Sequence, residues 1–80
     1  MHYTIARTWN ADGMLQLDFN KSGNKYVVEF TNKGVKETTR KYFDSIYAAL
    51  DVYEKFVEAF VLGLYDYETR KSWLKGGGEE

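Results

Sequence analysis

Four carboxylates, Asp44, Asp51, Glu54 and Glu58, come closest in this 80-residue chain to the chemistry of acid–base catalysis. General acid catalysis needs a carboxyl group that is withdrawn from water and whose pKa is shifted by its surroundings. Asp51, Glu54 and Glu58 recur instead at i, i+3 and i+7, a spacing that places them on one stripe of a helix. We therefore interpret them as a solvated helix face and predict no catalytic residues.

Other reactive side chains are scarce. The chain has no cysteine, which excludes disulfides and thiolate metal sites, and its one histidine, His2, lies near the amino terminus. No glycine-rich phosphate loop and no Ser/His/Asp set is present. The sequence predicts a protein that is not an enzyme and that uses no cofactor and no metal.

Basic residues concentrate in one part of the chain. Residues 20–43 contain six lysines or arginines against two acidic residues, whereas residues 44–68 contain six acidic residues against one lysine. Cations beside an aromatic ring can follow a phosphate backbone. A nucleic-acid interface is therefore one hypothesis, and its residues would be Lys25, Lys36, Arg40, Lys41 and Tyr42. The other interpretation is an edge strand whose lysines discourage unwanted pairing.

Aromatic side chains gather near the carboxyl terminus. Tyr65, Tyr67, Arg70 and Trp73 are of the types enriched in protein-binding hot spots. The acidic stripe next to them in sequence would complement a basic partner surface. The alternative is that they close the rim of a small core.

The elements that position these residues begin with four predicted strands. Segments with period-2 alternation are separated by three turns, "NADG", "KSGN" and "NKG", which predicts an antiparallel four-stranded meander. One face is expected to be apolar and to include Ile5, although an inward Ile5 would also turn Arg7 inward. The other apolar members of that face are Leu15, Leu17, Phe19, Tyr26, Val28 and Phe30.

A long helix is predicted to cover the apolar face. Asp44 or Ser45 can cap its first turn, and the absence of proline lets it continue to about Leu62. Its apolar arc spans roughly 220°, whereas docking on one surface requires little more than about 100°. Leu50 and Val61 lie on one flank of the core-facing stripe, and the other flank consists of Val52, Phe56 and Ala59. A second surface must therefore cover a flank.

Gly63 offers two possibilities for the end of this helix. A left-handed Gly63 would end it and allow Asp66 to cap a short second helix. A single helix through to Leu74 would leave both flanks open and favour a dimer. The fold prediction is α+β (ββββαα), with residues 1–75 as one domain and residues 76–80 as a flexible tail.

This element order, with "YFDSIYAALDVYEKF" at the start of the long helix, resembles compact phage-encoded proteins, among them anti-CRISPR proteins of the four-strand, two-helix type. The resemblance implies a stoichiometric inhibitor that occupies a host protein's nucleic-acid or partner surface.

The resulting prediction is a non-enzymatic, cytoplasmic binding module that acts by protein–protein contact, with itself or with another protein. Its expected partner-binding residues are Val52, Phe56, Ala59, Tyr65, Tyr67, Arg70 and Trp73. A small nucleic-acid-binding protein and a homo-oligomeric structural protein are the alternatives. No membrane contact is expected, since no apolar run approaches the roughly 20 residues that span a bilayer.

Overall fold

Four antiparallel strands followed by two helices make up the part of the chain that the computed structural model describes, residues 2–64 and 66–74. The strands form one open sheet in the order β1-β2-β3-β4. This is the predicted ββββαα architecture, which is therefore confirmed. The elements are β1 (His2–Trp9), β2 (Leu15–Ser22), β3 (Lys25–Asn32), β4 (Glu37–Phe43), α1 (Ile46–Val61) and α2 (Tyr67–Ser72).

The hydrophobic core lies between the inner face of the sheet and α1. Alternate residues of β2 and β3 point inward, and Leu17, Val28 and Phe30 are completely buried. The ring of Phe30 lies 4.9 Å, centroid to centroid, from that of Phe56 on α1. Aromatic side chains bury a large apolar area each, which is how so short a chain fills a core. The remaining core members are Leu15, Phe19, Phe43, Ala49, Tyr53, Phe60 and Leu74.

A β-bulge in β1 decides which of its residues face the core. The register against β2 shifts between Thr4 and Ala6, so that Ala6 pairs with Phe19 and packs against the core. Ile5 is the extra residue and remains 41% exposed. The prediction that Ile5 faces inward is therefore wrong, because one inserted residue reverses the alternation of the strand.

The outer face of the sheet carries a charged row that crosses all four strands. The register aligns Arg7, Asp18, Glu29 and Arg40 side by side. Arg7 Nε donates to Asp18, and Arg40 Nε donates to Glu29 at 2.7 Å. Asn20, only 3% exposed, donates from Nδ2 to Glu29 Oε1 at 2.6 Å. The two arginines thus neutralise the carboxylates of the central strands on the face of the sheet opposite α1.

Local signals fix both ends of α1. The Ser45 hydroxyl accepts from the amides of Tyr47 and Ala48 at the start of the helix. At the other end Gly63 has φ +75°, its N–H donates to Phe60 O, and the Leu64 N–H donates to Ala59 O. This pair of hydrogen bonds is a Schellman motif, in which glycine takes the left-handed conformation without a Cβ penalty. Of the two possibilities for Gly63, the broken helix is the one found.

Candidate functional site

One flank of α1 is covered by α2 and the residues after it. Trp73 lies edge-on to Phe56 with 4.9 Å between ring centroids, and Leu74 is completely buried. Phe56 is 0% exposed and Ala59 3% exposed, while Val52 is half-buried against the core. Phe56 and Ala59, two of the predicted partner-binding residues, thus expose almost no surface to a partner, and Trp73 of the chain itself packs on Phe56.

Tyr67, Arg70 and Trp73, which were expected to bind a partner, hold α2 in place. The Tyr67 ring packs 5.4 Å from that of Phe30, and its hydroxyl donates to Glu37 on β4. Arg70 and Lys55 lie on the Trp73 ring, at 4.4 and 4.8 Å from its centroid. These side chains close the rim of the small core, which is the alternative to partner binding that the sequence left open. Tyr65, the remaining aromatic of the predicted set, lies outside the described residues.

The contact between Tyr67 and Glu37 makes the docking of α2 sensitive to pH. Burial, followed by the hydrogen bond to Glu37, raises the pKa of Tyr67 to about 12. The same hydrogen bond, and secondarily the charge of Lys71, holds the pKa of Glu37 below its usual value. Tyr67 therefore contributes its full stabilisation below its ordinary pKa of 10.0, and this contribution is lost as the pH rises toward 12. The contribution of Glu37 is present above its ordinary pKa of 4.5 and is lost as the pH falls below it.

Replacing Tyr67 by phenylalanine is expected to flatten the alkaline part of the stability profile. The variant keeps the ring on Phe30 but has no hydroxyl to ionise, so its melting temperature should fall less steeply than that of the wild type above pH 10. Thermal unfolding followed by circular dichroism from neutral pH to pH 11 measures the difference. Parallel curves of melting temperature against pH for the two proteins would contradict the contact between Tyr67 and Glu37.

Within residues 2–64 and 66–74, no second element covers the flank of α1 opposite α2. Its apolar members are Tyr47, Leu50, Val57 and Val61, which together with Glu54 we call the α1 ridge. Tyr47 is 80% and Val61 79% exposed, and Leu50 is exposed as well. Val57 is half-buried, with part of its side chain against the core. The ridge thus contains Leu50 and Val61, which the helical periodicity of the sequence placed together on one flank of the core-facing stripe. The flank on the other side of that stripe is the one that holds Phe56.

Charges beside the α1 ridge have a single sign. Asp51, Glu54 and Glu58 are all exposed on this side of the helix, and within residues 2–64 and 66–74 none of them takes part in an ion pair. The only cation of α1, Lys55, lies over Trp73 on the other side. The open flank therefore combines exposed apolar side chains with uncompensated negative charge.

The structure does not bring the predicted nucleic-acid-binding residues together. Pairing with β3 places Arg40 and Tyr42 on the outer face of the sheet and Lys41 on the inner face. Lys36 lies in the β3–β4 turn, at the opposite end of β3 from Lys25. Arg40 is bound to Glu29, and Lys25 forms an ion pair with Asp44 at 2.9 Å. Their charges are thus partly neutralised within the chain and spread over several surfaces.

Comparison with protein-family models, with curated proteins and with solved structures found no match to this chain. The resemblance to small phage-encoded proteins therefore stays a prediction. Among the described residues, no helix is both long and apolar enough to cross a membrane. The same part of the chain contains no group of three or more histidine, aspartate or glutamate side chains arranged to hold a metal ion.

Proposed function

We propose that this protein is a non-enzymatic binding module that acts by docking the α1 ridge onto another protein. The observation that carries the proposal is the exposure of Tyr47 and Val61, each close to four-fifths, on a helix whose other flank buries Phe56 and Ala59. Large apolar side chains that stay in water along one stripe of a rigid element are typical of interaction surfaces.

The extent of the ridge supports this proposal. Ile46 and Leu64, 38% and 50% exposed, extend the exposed apolar surface at its two ends. Side chains of this number and exposure present on the order of several hundred Å², the size at which apolar patches of soluble monomers are often functional. The carboxylates alongside provide the polar rim that such interfaces have.

The α1 ridge is a better candidate for a binding surface than the basic sheet edge, because cations of the sheet edge have partners within the chain and apolar side chains of the ridge remain exposed. Arg40 and Lys25 already have carboxylate partners, Glu29 and Asp44. Among the described residues, by contrast, nothing covers the exposed apolar surface of Tyr47 and Val61, and burying such surface releases about 25 cal/mol per Å². The proposed setting is the cytoplasm, and the proposed role as an inhibitor of a host protein rests on the resemblance to phage-encoded proteins.

Changing Val61 to glutamate is expected to abolish partner capture from an extract of the source cells while leaving the fold intact. The matched control is Val35→Glu, since Val35 is also an exposed valine, 63% against 79%, but lies in the β3–β4 turn. Immobilised wild type and Val35→Glu should retain the same protein, and Val61→Glu should lose at least about tenfold of it. Equal retention by the two variants would refute docking through the ridge.

A further inference from the structure

We infer that the occupant of the α1 ridge is a basic amphipathic helix of another protein, with a lysine or arginine facing Glu54. This inference rests on the proposed function and specifies the chemistry of the partner. It also excludes a second copy of this chain as the occupant.

The spacing along the ridge is that of a helix–helix seam. Tyr47, Leu50, Glu54, Val57 and Val61 follow one another at intervals of three, four, three and four residues. This repeat keeps side chains on one stripe that a second helix can follow. At 1.5 Å per residue the stripe is about 21 Å long, which matches a partner helix of about 15 residues.

Glu54 at the middle of the seam makes self-association unfavourable. It lies seven residues from both Tyr47 and Val61. In an antiparallel two-fold pair whose ridges overlap from Tyr47 to Val61, Glu54 would face Glu54 of the other copy, and an in-register parallel pair would produce the same contact. Two like charges that face each other in a desolvated interface repel each other strongly, which disfavours that association. A single charged seam position of this kind also selects between partners.

The neighbouring charges favour a basic partner for the same reason. Asp51 and Glu58 are exposed beside the seam, and neither takes part in an ion pair among the described residues. A helix with lysine or arginine at its flanking positions would neutralise all three carboxylates while its apolar stripe covers Leu50, Val57 and Val61. Such complementarity raises both specificity and the association rate.

Two synthetic peptides test this assignment. Both are helical, about 18 residues long and carry leucines at alternating intervals of three and four. One has lysines and the other glutamates at the flanking positions and at the one seam position that faces Glu54. In fluorescence anisotropy titrations with the full chain, we expect the lysine peptide to bind at least about tenfold more tightly, a difference of about 1.4 kcal/mol. Glu54→Lys should remove this preference, whereas Asp12→Lys, at an exposed carboxylate in the β1–β2 turn, should preserve it.

Sedimentation equilibrium of the protein alone supplies the second readout. The wild type is expected to stay monomeric at concentrations at which Glu54→Leu, with its uninterrupted apolar seam, self-associates. Self-association of the wild type through the ridge would overturn the inference. Equal binding of the two peptides, or binding of neither, would overturn it as well. The capture experiment with Val61→Glu and Val35→Glu does not depend on peptide charge. It therefore tests docking through the ridge separately from the basic character of the partner.

Discussion

Replacing Phe56 by alanine is expected to lower the free energy of unfolding by about 3–5 kcal/mol. Phe56 is 0% exposed and lies between Phe30 and Trp73, each at a centroid distance of 4.9 Å. Truncation removes one of the contacts that join the sheet to the carboxyl-terminal segment and leaves a cavity that a small core cannot fill. Since folded domains are stable by only about 5–15 kcal/mol, this loss is a large fraction of the total stability. Urea denaturation followed by circular dichroism measures the loss.

Val61→Ala is the matched control on the same helix. Val61 is 79% exposed, so its truncation should change the free energy of unfolding by no more than about 0.5 kcal/mol. A loss below about 1 kcal/mol for Phe56→Ala would show that the site is not packed as the structure indicates. A large loss for Val61→Ala would show that the ridge belongs to the core and is not available to a partner.

Removing Glu29 is expected to have the second largest effect on stability. Its carboxylate accepts from Arg40 and from Asn20, whose amide is buried on the outer face of the sheet. Within the described residues Asn20 Oδ1 already lacks a partner, so Glu29→Ala would leave both polar ends of a buried amide unsatisfied. A buried polar group without a hydrogen bond costs about 1–3 kcal/mol, and we expect a loss in that range.

Glu29→Gln separates the hydrogen bond from the charge. Glutamine retains an oxygen that can accept from Asn20 but loses the ion pair with Arg40, which is half-exposed and contributes little. In chemical denaturation, the free energy of unfolding of Glu29→Gln should therefore lie between those of the wild type and Glu29→Ala, closer to that of the wild type. If the two variants lose equal stability, the buried amide is not what Glu29 supports.

The element order could be predicted from the sequence because its signals are local. Turns such as "NADG" and "KSGN", period-2 alternation and a serine cap need no information about distant residues. The left-handed Gly63 belongs to the same class, since glycine is the residue that adopts a positive φ without cost. The bulge at Ile5 was missed because it depends on pairing between strands and leaves no mark in the alternation pattern of β1.

The position of the candidate site could be predicted only in part. The helical wheel showed correctly that α1 is apolar over more surface than the sheet can cover, and it identified both flanks. Which flank α2 would cover depends on the path of the chain after Gly63, and periodicity carries no information about that path. Trp73 packs on Phe56 and Leu74 is buried in the core, so the open flank is the one that contains Leu50 and Val61. For the same reason Tyr67 and Arg70 were assigned to a partner although they hold α2.

Site-specific photo-crosslinking from position 61 tests the docking proposal most directly. A photoreactive amino acid replaces Val61 in one protein and Val35 in a second, and both are irradiated in an extract of the source cells. We predict one discrete adduct with another protein from position 61 and none from position 35. Excess wild-type protein should abolish this adduct by competition, whereas excess Val61→Glu should not. The absence of an adduct from position 61, or the same adducts from both positions, would contradict the assignment of the α1 ridge as the binding surface.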